Sequence, residues 1–447
     1  MKSLPAVILL LILSSGCTQQ SSCTDCPLLS QPSPDFCING TIIPGIVDEC
    51  GCQSPPSCEV NETVTQFRHV YNLPSEYEYM LNWSANTSLP TGFMSGNTFM
   101  DYYSDIIMED YINSTLDSML DTNAEWVAFD NFWSHYSLEP VIIGPFTERV
   151  DYFRDATDNE LGLLISQVHA KGKKFALMLS LNFDVMRGEW QSWEYQEEFN
   201  KNTIDFIQAK ANELENPTNE TNAFWDSWFS EYSKFVLDQA QAAEAYGADM
   251  LVIGHGLEYT IREGNKLRWS ELINKTREVY KGPVSFVAYT MNGYSEMSFF
   301  PCQELDYLII YQYNEISTSA HPSLEELKAS FEAINENQLA PLSEACSKEI
   351  ILLTPYQSRD YGAKQEWFEP SAPAPNVGLD LVIQAQMYEA LMQSLQDEEW
   401  IKGVWTWGYW WRDDYNTMFS ANDSSYEKSS SVRNKPAMAI LAKWNKQ

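Results

Sequence analysis

The sequence predicts an α/β protein: a (β/α)8 TIM barrel behind a small disulfide-rich N-terminal module. Three observations point there. From Gly92 onward, short apolar runs alternate with helical periodicity, the pattern of parallel strands joined by crossover helices. Eight such runs can be counted, and polar or aromatic residues follow almost every one, as at the C-terminal face of a barrel. Six of the nine cysteines lie between Cys23 and Cys58, ahead of the first run. A doubly wound open sheet is the alternative, but no glycine-rich phosphate loop follows an early strand.

Residues 1–17 read as a targeting segment. Lys2 supplies the positive start and Ala6 to Leu13 the apolar run, which is too short to span a bilayer. Ser14, Ser15 and Gly16 then precede Cys17 in the manner of a lipoprotein signal, so Cys17 is the expected lipidation site; an ordinary secretory signal is the alternative. A lipid there would hold the protein on the outer face of the cell membrane. Residues 18–60 form a Cys-rich module, with Cys23, Cys26, Cys37, Cys50, Cys52 and Cys58 among six prolines. It has too few apolar residues for a core, so disulfides are expected to hold it, with a zinc site at Cys23 and Cys26 as the rival reading. Eight Asn-x-Ser/Thr sequons also fit an exported, glycosylated surface protein of the archaeal or eukaryotic kind. Residues 61–90 read as linker and 91–447 as the barrel.

The expected strands are Gly92–Gly96, Trp126–Asp130, Lys174–Leu181, Asp249–Ile253, Val284–Tyr289, Asp306–Tyr311, Glu349–Thr354 and Val404–Gly408. Helical patterns separate them over Met108–Leu120, Asp158–Ala170, Phe224–Tyr246, Trp269–Tyr280, Ser323–Glu336 and Leu379–Trp400, and Lys435–Trp444 closes the chain. Thr157 or Asp158 is placed to cap one helix start, and Gly172 and Gly247 to end helices. Cys302 and Cys346 each precede a neighbouring strand, where a disulfide would brace the structural face of the barrel.

The residues just past the strands carry the chemistry. They are Asp130 and Trp133; Asn182; His255 and Glu258; Tyr289; Tyr311, Tyr313 and Glu315; Asp360; and Trp405 and Trp407. Rings beside carboxylates and amides suit a sugar, which offers a flat apolar face and a rim of hydroxyls. With 62 acidic against 28 basic residues the net charge is −34, which argues against a nucleic-acid partner. The five histidines form no ligand pair at helical spacing, so neither metal nor cofactor is expected, and a monomer is.

The run from Gly92 to Trp444 resembles the (β/α)8 glycoside hydrolases of the β-mannanase type. The similar phrases are Ala248-Asp-Met-Leu-Val-Ile-Gly254, Asp306-Tyr-Leu-Ile-Ile-Tyr-Gln-Tyr313, Tyr356-Gln-Ser-Arg-Asp-Tyr-Gly-Ala363 and Gly403-Val-Trp-Thr-Trp-Gly408. The resemblance implies catalytic glutamates after strands four and seven. Here Gly256 stands at the first of these places, with Glu258 two residues on, and Leu352-Leu-Thr-Pro355 holds no carboxylate at the second. Glu258 is then the expected general acid, with Asp360, Glu315 or Asp130 opposite. The expected function is hydrolysis of glycosidic bonds in an extracellular poly- or oligosaccharide by paired carboxylates. A glycan-binding protein that has lost catalysis, and a structural cell-envelope component, are the alternatives.

Overall fold

A computed structural model describes residues 40–43, 57–60, 72–100, 111–145, 155–182, 193–289, 294–364, 377–409 and 427–446. It divides into two units, residues 1–67 and 68–447. The targeting segment, Cys17, and the module's Cys23, Cys26, Cys37, Cys50 and Cys52 lie outside the described residues. Within the first unit, β1 (Gly40–Ile43) pairs antiparallel with β2 (Ser57–Val60), matching Gly40 to Val60.

The second unit is a closed parallel barrel. Its strands are β3 (Met94–Met100), β4 (Trp126–Leu138), β6 (Lys174–Asn182), β7 (Met250–His255), β8 (Val284–Tyr289), β9 (Tyr307–Tyr311), β10 (Ile350–Thr354) and β11 (Ile401–Tyr409). Each pairs in parallel with its chain neighbour in the barrel, and β11 returns to β3 to close the ring. Among the described residues of this unit one strand lies outside it: β5 (Val141–Gly144) turns back antiparallel along the far half of β4. Around the barrel run α1 (Tyr111–Leu120), α2 (Asp158–Ala170), α3 (Trp193–Asn212), α4 (Asn219–Tyr246), α5 (Lys266–Val279), α6 (Leu324–Ile334), α7 (Ala340–Cys346), α8 (Leu381–Ser394) and α9 (Ala437–Trp444).

Local chemistry sets these boundaries. Thr157 caps α2 by accepting from the Glu160 amide while the Glu160 carboxylate accepts from the Thr157 amide. Gly247 ends α4 in the left-handed region, at φ 77°, where a side chain would be strained. The first strand starts later than expected, at Met94, because Gly92 takes φ 75° in the preceding turn. Helix α8 stops at Ser394, short of the expected Trp400, where the polar run Gln396 to Glu399 offers no apolar stripe to continue it.

The strands alternate, with inner residues filling the barrel and outer residues packing under the helices. Trp126 and Ala128 of β4, Met250 and Val252 of β7, Ile351 and Leu353 of β10, and Trp405 of β11 fill the inside. Val127, Phe129, Leu251, Ile253, Leu352 and Val404 belong to the outer core. At the N-terminal end, Cys302 and Cys346 are bonded as expected.

Candidate active site

Two departures from regular strand geometry shape the mouth. Between Met178 and Ser180 the β6–β7 register slips, so that Met178 pairs with Val252 but Ser180 with His255. The extra residue in β7 is a bulge, and it places His255 on the interior side, where simple alternation from Val252 would turn it outward. Gly254 makes the bulge feasible: a Cβ there would lie 2.5 Å from the Phe286 ring. A second slip in β11, between Thr406 and Tyr409, coincides with Gly408 at φ 79°. Tyr409 thereby joins the outer core, while Trp407 stays inside.

The result is a buried polar chain ending at a ring. Asp130 is fully buried on β4 and accepts from the Ser180 hydroxyl at 2.7 Å. Its other oxygen lies 2.9 Å from His255 Nδ1, which is itself 3.0 Å from Ser180 Oγ. A carboxylate only accepts, so Nδ1 carries the hydrogen and Nε2 is left as an acceptor. The Tyr289 hydroxyl lies 3.0 Å from that Nε2 and donates to it. Burial, and then the charge of Asp130, hold the neighbouring Tyr232 phenol well above its ordinary range, and its hydroxyl donates to the Ile253 carbonyl behind the bulge.

Rings enclose this chain. The Tyr289 ring stacks on Tyr311 at 4.5 Å and Tyr311 on Tyr313 at 6.2 Å, giving a file of three phenols from β8 to the residues after β9. Trp407 stands edge-on to His255 at 4.7 Å and to Tyr311 at 5.6 Å. Six of the residues expected at the mouth are therefore in one contact network: Asp130, His255, Tyr289, Tyr311, Tyr313 and Trp407.

The other expected site residues fall elsewhere. Trp133 faces outward and stacks on Phe235 of α4 at 4.6 Å, so its ring packs the helix layer. Trp405 is fully buried inside the barrel, stacked on Trp126 at 5.8 Å, in space left by the missing side chain of Gly96. Asn182 ends β6, and its side chain lies outside the described residues. Glu258 opens a short 3-10 turn directly after β7 and is half-buried. Its charge is a minor contributor, after burial and Tyr232, to the raised phenol of Tyr259. Glu315 is exposed beyond β9. Asp360, beyond β10, accepts from the Gly378 amide at 3.0 Å. With His321 and Asp380 it could offer a cation three ligand atoms within 4.8 Å of one another, though Asp380 already caps α8.

Strand ends four and seven hold no carboxylate of their own. Gly256 sits at φ 72°, and Thr354 is buried with its hydroxyl on the Trp405 carbonyl at 3.0 Å. Ser180 was not anticipated as a site residue, since one serine in an apolar strand carries no sequence signal of its own.

The barrel gathers its rings and polar groups at the C-terminal strand ends, where (β/α)8 enzymes place their active sites. The chain matches Glycoside Hydrolase Family 113 over residues 107–430, and it belongs to that family. Among solved structures it is similar to the family 113 β-mannanase AaManA from Alicyclobacillus acidocaldarius in complex with ManMIm. The two are 20% identical, with 78% of this chain and 96% of that one covered and a TM-score of 0.55. It is also similar to a family 113 β-1,4-mannanase solved as a complex, at 19% identity, 79% and 99% coverage and a TM-score of 0.53. No curated protein matches the chain.

Proposed function

We propose that this glycoside hydrolase cleaves β-mannosidic bonds of a mannan-type polysaccharide outside the cell, at the mouth of its barrel. The observation that carries the reading is the ring file of Tyr289, Tyr311 and Tyr313 with Trp407 beside it, gathered at the C-terminal ends of β8, β9 and β11. Such a wall offers stacking faces to a sugar at the end of the barrel where this fold does its chemistry. The similar family 113 structures are β-mannanases, and the proposed sugar follows theirs. Glu258, on the turn after β7, is the proposed proton donor to the leaving oxygen. A paired-carboxylate scheme sets a second acid across the bond, about 5–5.5 Å away for retention and about 6.5–9.5 Å for inversion, and Asp360 and Glu315 are its candidates. The N-terminal segment would deliver the protein outside the cell, with a lipid on Cys17 as anchor and the Cys-rich module as spacer.

Reducing ends released from β-1,4-mannan, and from a panel of other β-linked polysaccharides, test this. The wild type should release sugar, and Glu258→Gln should be at least about 100-fold slower. A second reading, binding without cleavage, is favoured by Gly256 and Thr354 at the strand ends where the resemblance places glutamates. It predicts retention on a mannan column with no release by the wild type.

A further inference from the structure

We infer that the group facing Glu258 across the scissile bond is the Tyr289 hydroxyl, serving as nucleophile with His255 as its base. The inference rests on the hydrolase reading above and replaces only the second carboxylate of that scheme.

Four observations support it. First, Asp130, His255 and Tyr289 form an unbroken line: carboxylate to Nδ1 at 2.9 Å, Nε2 to phenol at 3.0 Å. A nucleophile held by a base that is oriented by a third group is the general signature of covalent catalysis. Second, the line is directional. Asp130 accepts from Ser180 through one oxygen and faces Nδ1 with the other, which places the hydrogen on Nδ1 and leaves Nε2 to take the Tyr289 proton. Third, the line runs outward: Asp130 is 0% exposed and His255 6%, whereas Tyr289 is partly exposed at the last position of β8. Fourth, Thr354, at the end of strand seven, turns its hydroxyl into the Trp405 carbonyl. A buried carboxylate–imidazole pair adds little net stability compared with apolar side chains of similar size, so packing alone does not account for it. Tyrosine is an established alternative to a carboxylate as a glycosidase nucleophile.

The step balances with groups already present. The Tyr289 proton passes to His255 Nε2, and Asp130 stabilises the imidazolium. The phenolate oxygen bonds to the anomeric carbon as the glycosidic C–O bond breaks, and the Glu258 carboxyl protonates the departing oxygen. In the second half, water attacks the anomeric carbon and gives a proton to the Glu258 carboxylate. Tyr289 then leaves and regains its proton from His255. Overall, one water is consumed and anomeric configuration is retained.

The test uses the full chain with a 2-deoxy-2-fluoro β-mannoside bearing an activated aryl leaving group, with peptides mapped by mass spectrometry. The expected result is a glycosyl adduct on the peptide containing Tyr289. It should be absent in Tyr289→Phe, whose turnover of an aryl β-mannoside should fall at least about 10³-fold. His255→Gln should slow both adduct formation and turnover by about 10²-fold or more. An adduct on a peptide containing Asp360 or Glu315, or turnover by the wild type with inversion and no adduct, overturns the inference and leaves the hydrolase reading standing. If folded wild type neither turns over nor is labelled by any glycoside of the panel, both fall. The wild-type label does not depend on the variants folding.

Discussion

The two ends of the barrel use acidic residues in opposite ways. At the N-terminal end, Asp249 precedes β7, accepts from the Phe175 amide of β6 at 2.8 Å and pairs with His169 of α2 at 2.9 Å. Asp306 precedes β9 and repeats the device. It accepts from the Val284 amide of β8 at 2.8 Å and pairs with Arg277 of α5 at 2.9 Å. Each carboxylate ties a strand start to its neighbour and to a helix, and each is partly exposed, so water shares the cost of its charge. At the C-terminal end, Asp130 is fully buried and spends its oxygens on the side chains of Ser180 and His255. The partly exposed acids hold strands together and belong to folding; the buried one orients an imidazole, and in the proposed mechanism that pair has a chemical task.

The largest effect expected to separate the two ends is catalytic. Asp130→Asn should reduce glycoside turnover by about 10²–10⁴-fold through the misplaced His255 hydrogen. Steady-state kinetics beside thermal unfolding would show the loss in kcat without a matching loss of fold. Next comes the disulfide, which closes a separation of 44 residues at the structural end. Cys302→Ser with Cys346→Ser should lower unfolding free energy by about 2–4 kcal/mol, read by denaturant titration, and leave turnover at 25 °C unchanged. Asp306→Asn should weaken stability by about 1–2 kcal/mol, again with kcat unmoved, and a drop in kcat would break the comparison.

A buried charge with a structural task sharpens the contrast through pH. Burial holds the Lys435 ammonium down to about 7, against the pull of Glu427, while its Nζ donates to the Ser358 hydroxyl and the Ser429 carbonyl. The unfolded chain keeps the ordinary value of 10.5, so between about pH 7 and 10.5 it binds the proton that the folded chain has lost. Stability from this site should therefore rise with pH across that window and be lowest below pH 7. Lys435→Met should remove the rise, as unfolding midpoints from pH 6 to 10 would show. The smallest effect is at Gly247, where Ala should cost about 1 kcal/mol through its left-handed backbone.

Much of this was legible before any coordinates. The wholly apolar runs marked the barrel strands, and β8 matches its expected bounds of Val284 and Tyr289. The cap at Thr157 and the stop at Gly247 followed from the same local chemistry that the structure shows. The continuation of β4 to Leu138 and its hairpin with β5 were not legible, because Asn131 to Tyr136 mixes polar groups and rings without a two-residue period. Helix α3 was missed for a similar reason, its sequence being largely polar with no sustained apolar stripe. At the site, strand phase decided what residue type could not. Trp133 is three residues from inward-facing Asp130 and so faces outward, a signal present in the sequence but passed over in favour of its ring. The inward turn of His255 was not legible, because it needs the bulge at Gly254, where the Phe286 ring of the next strand leaves no room for a Cβ.

Release of reducing ends from β-1,4-mannan by the full chain, wild type beside His255→Gln, tests the division between the two ends most directly. The wild type should release sugar and the variant should do so at least about 100-fold more slowly, with unfolding midpoints within a few degrees of each other. Equal rates in the two, or none from a folded wild type, would contradict it.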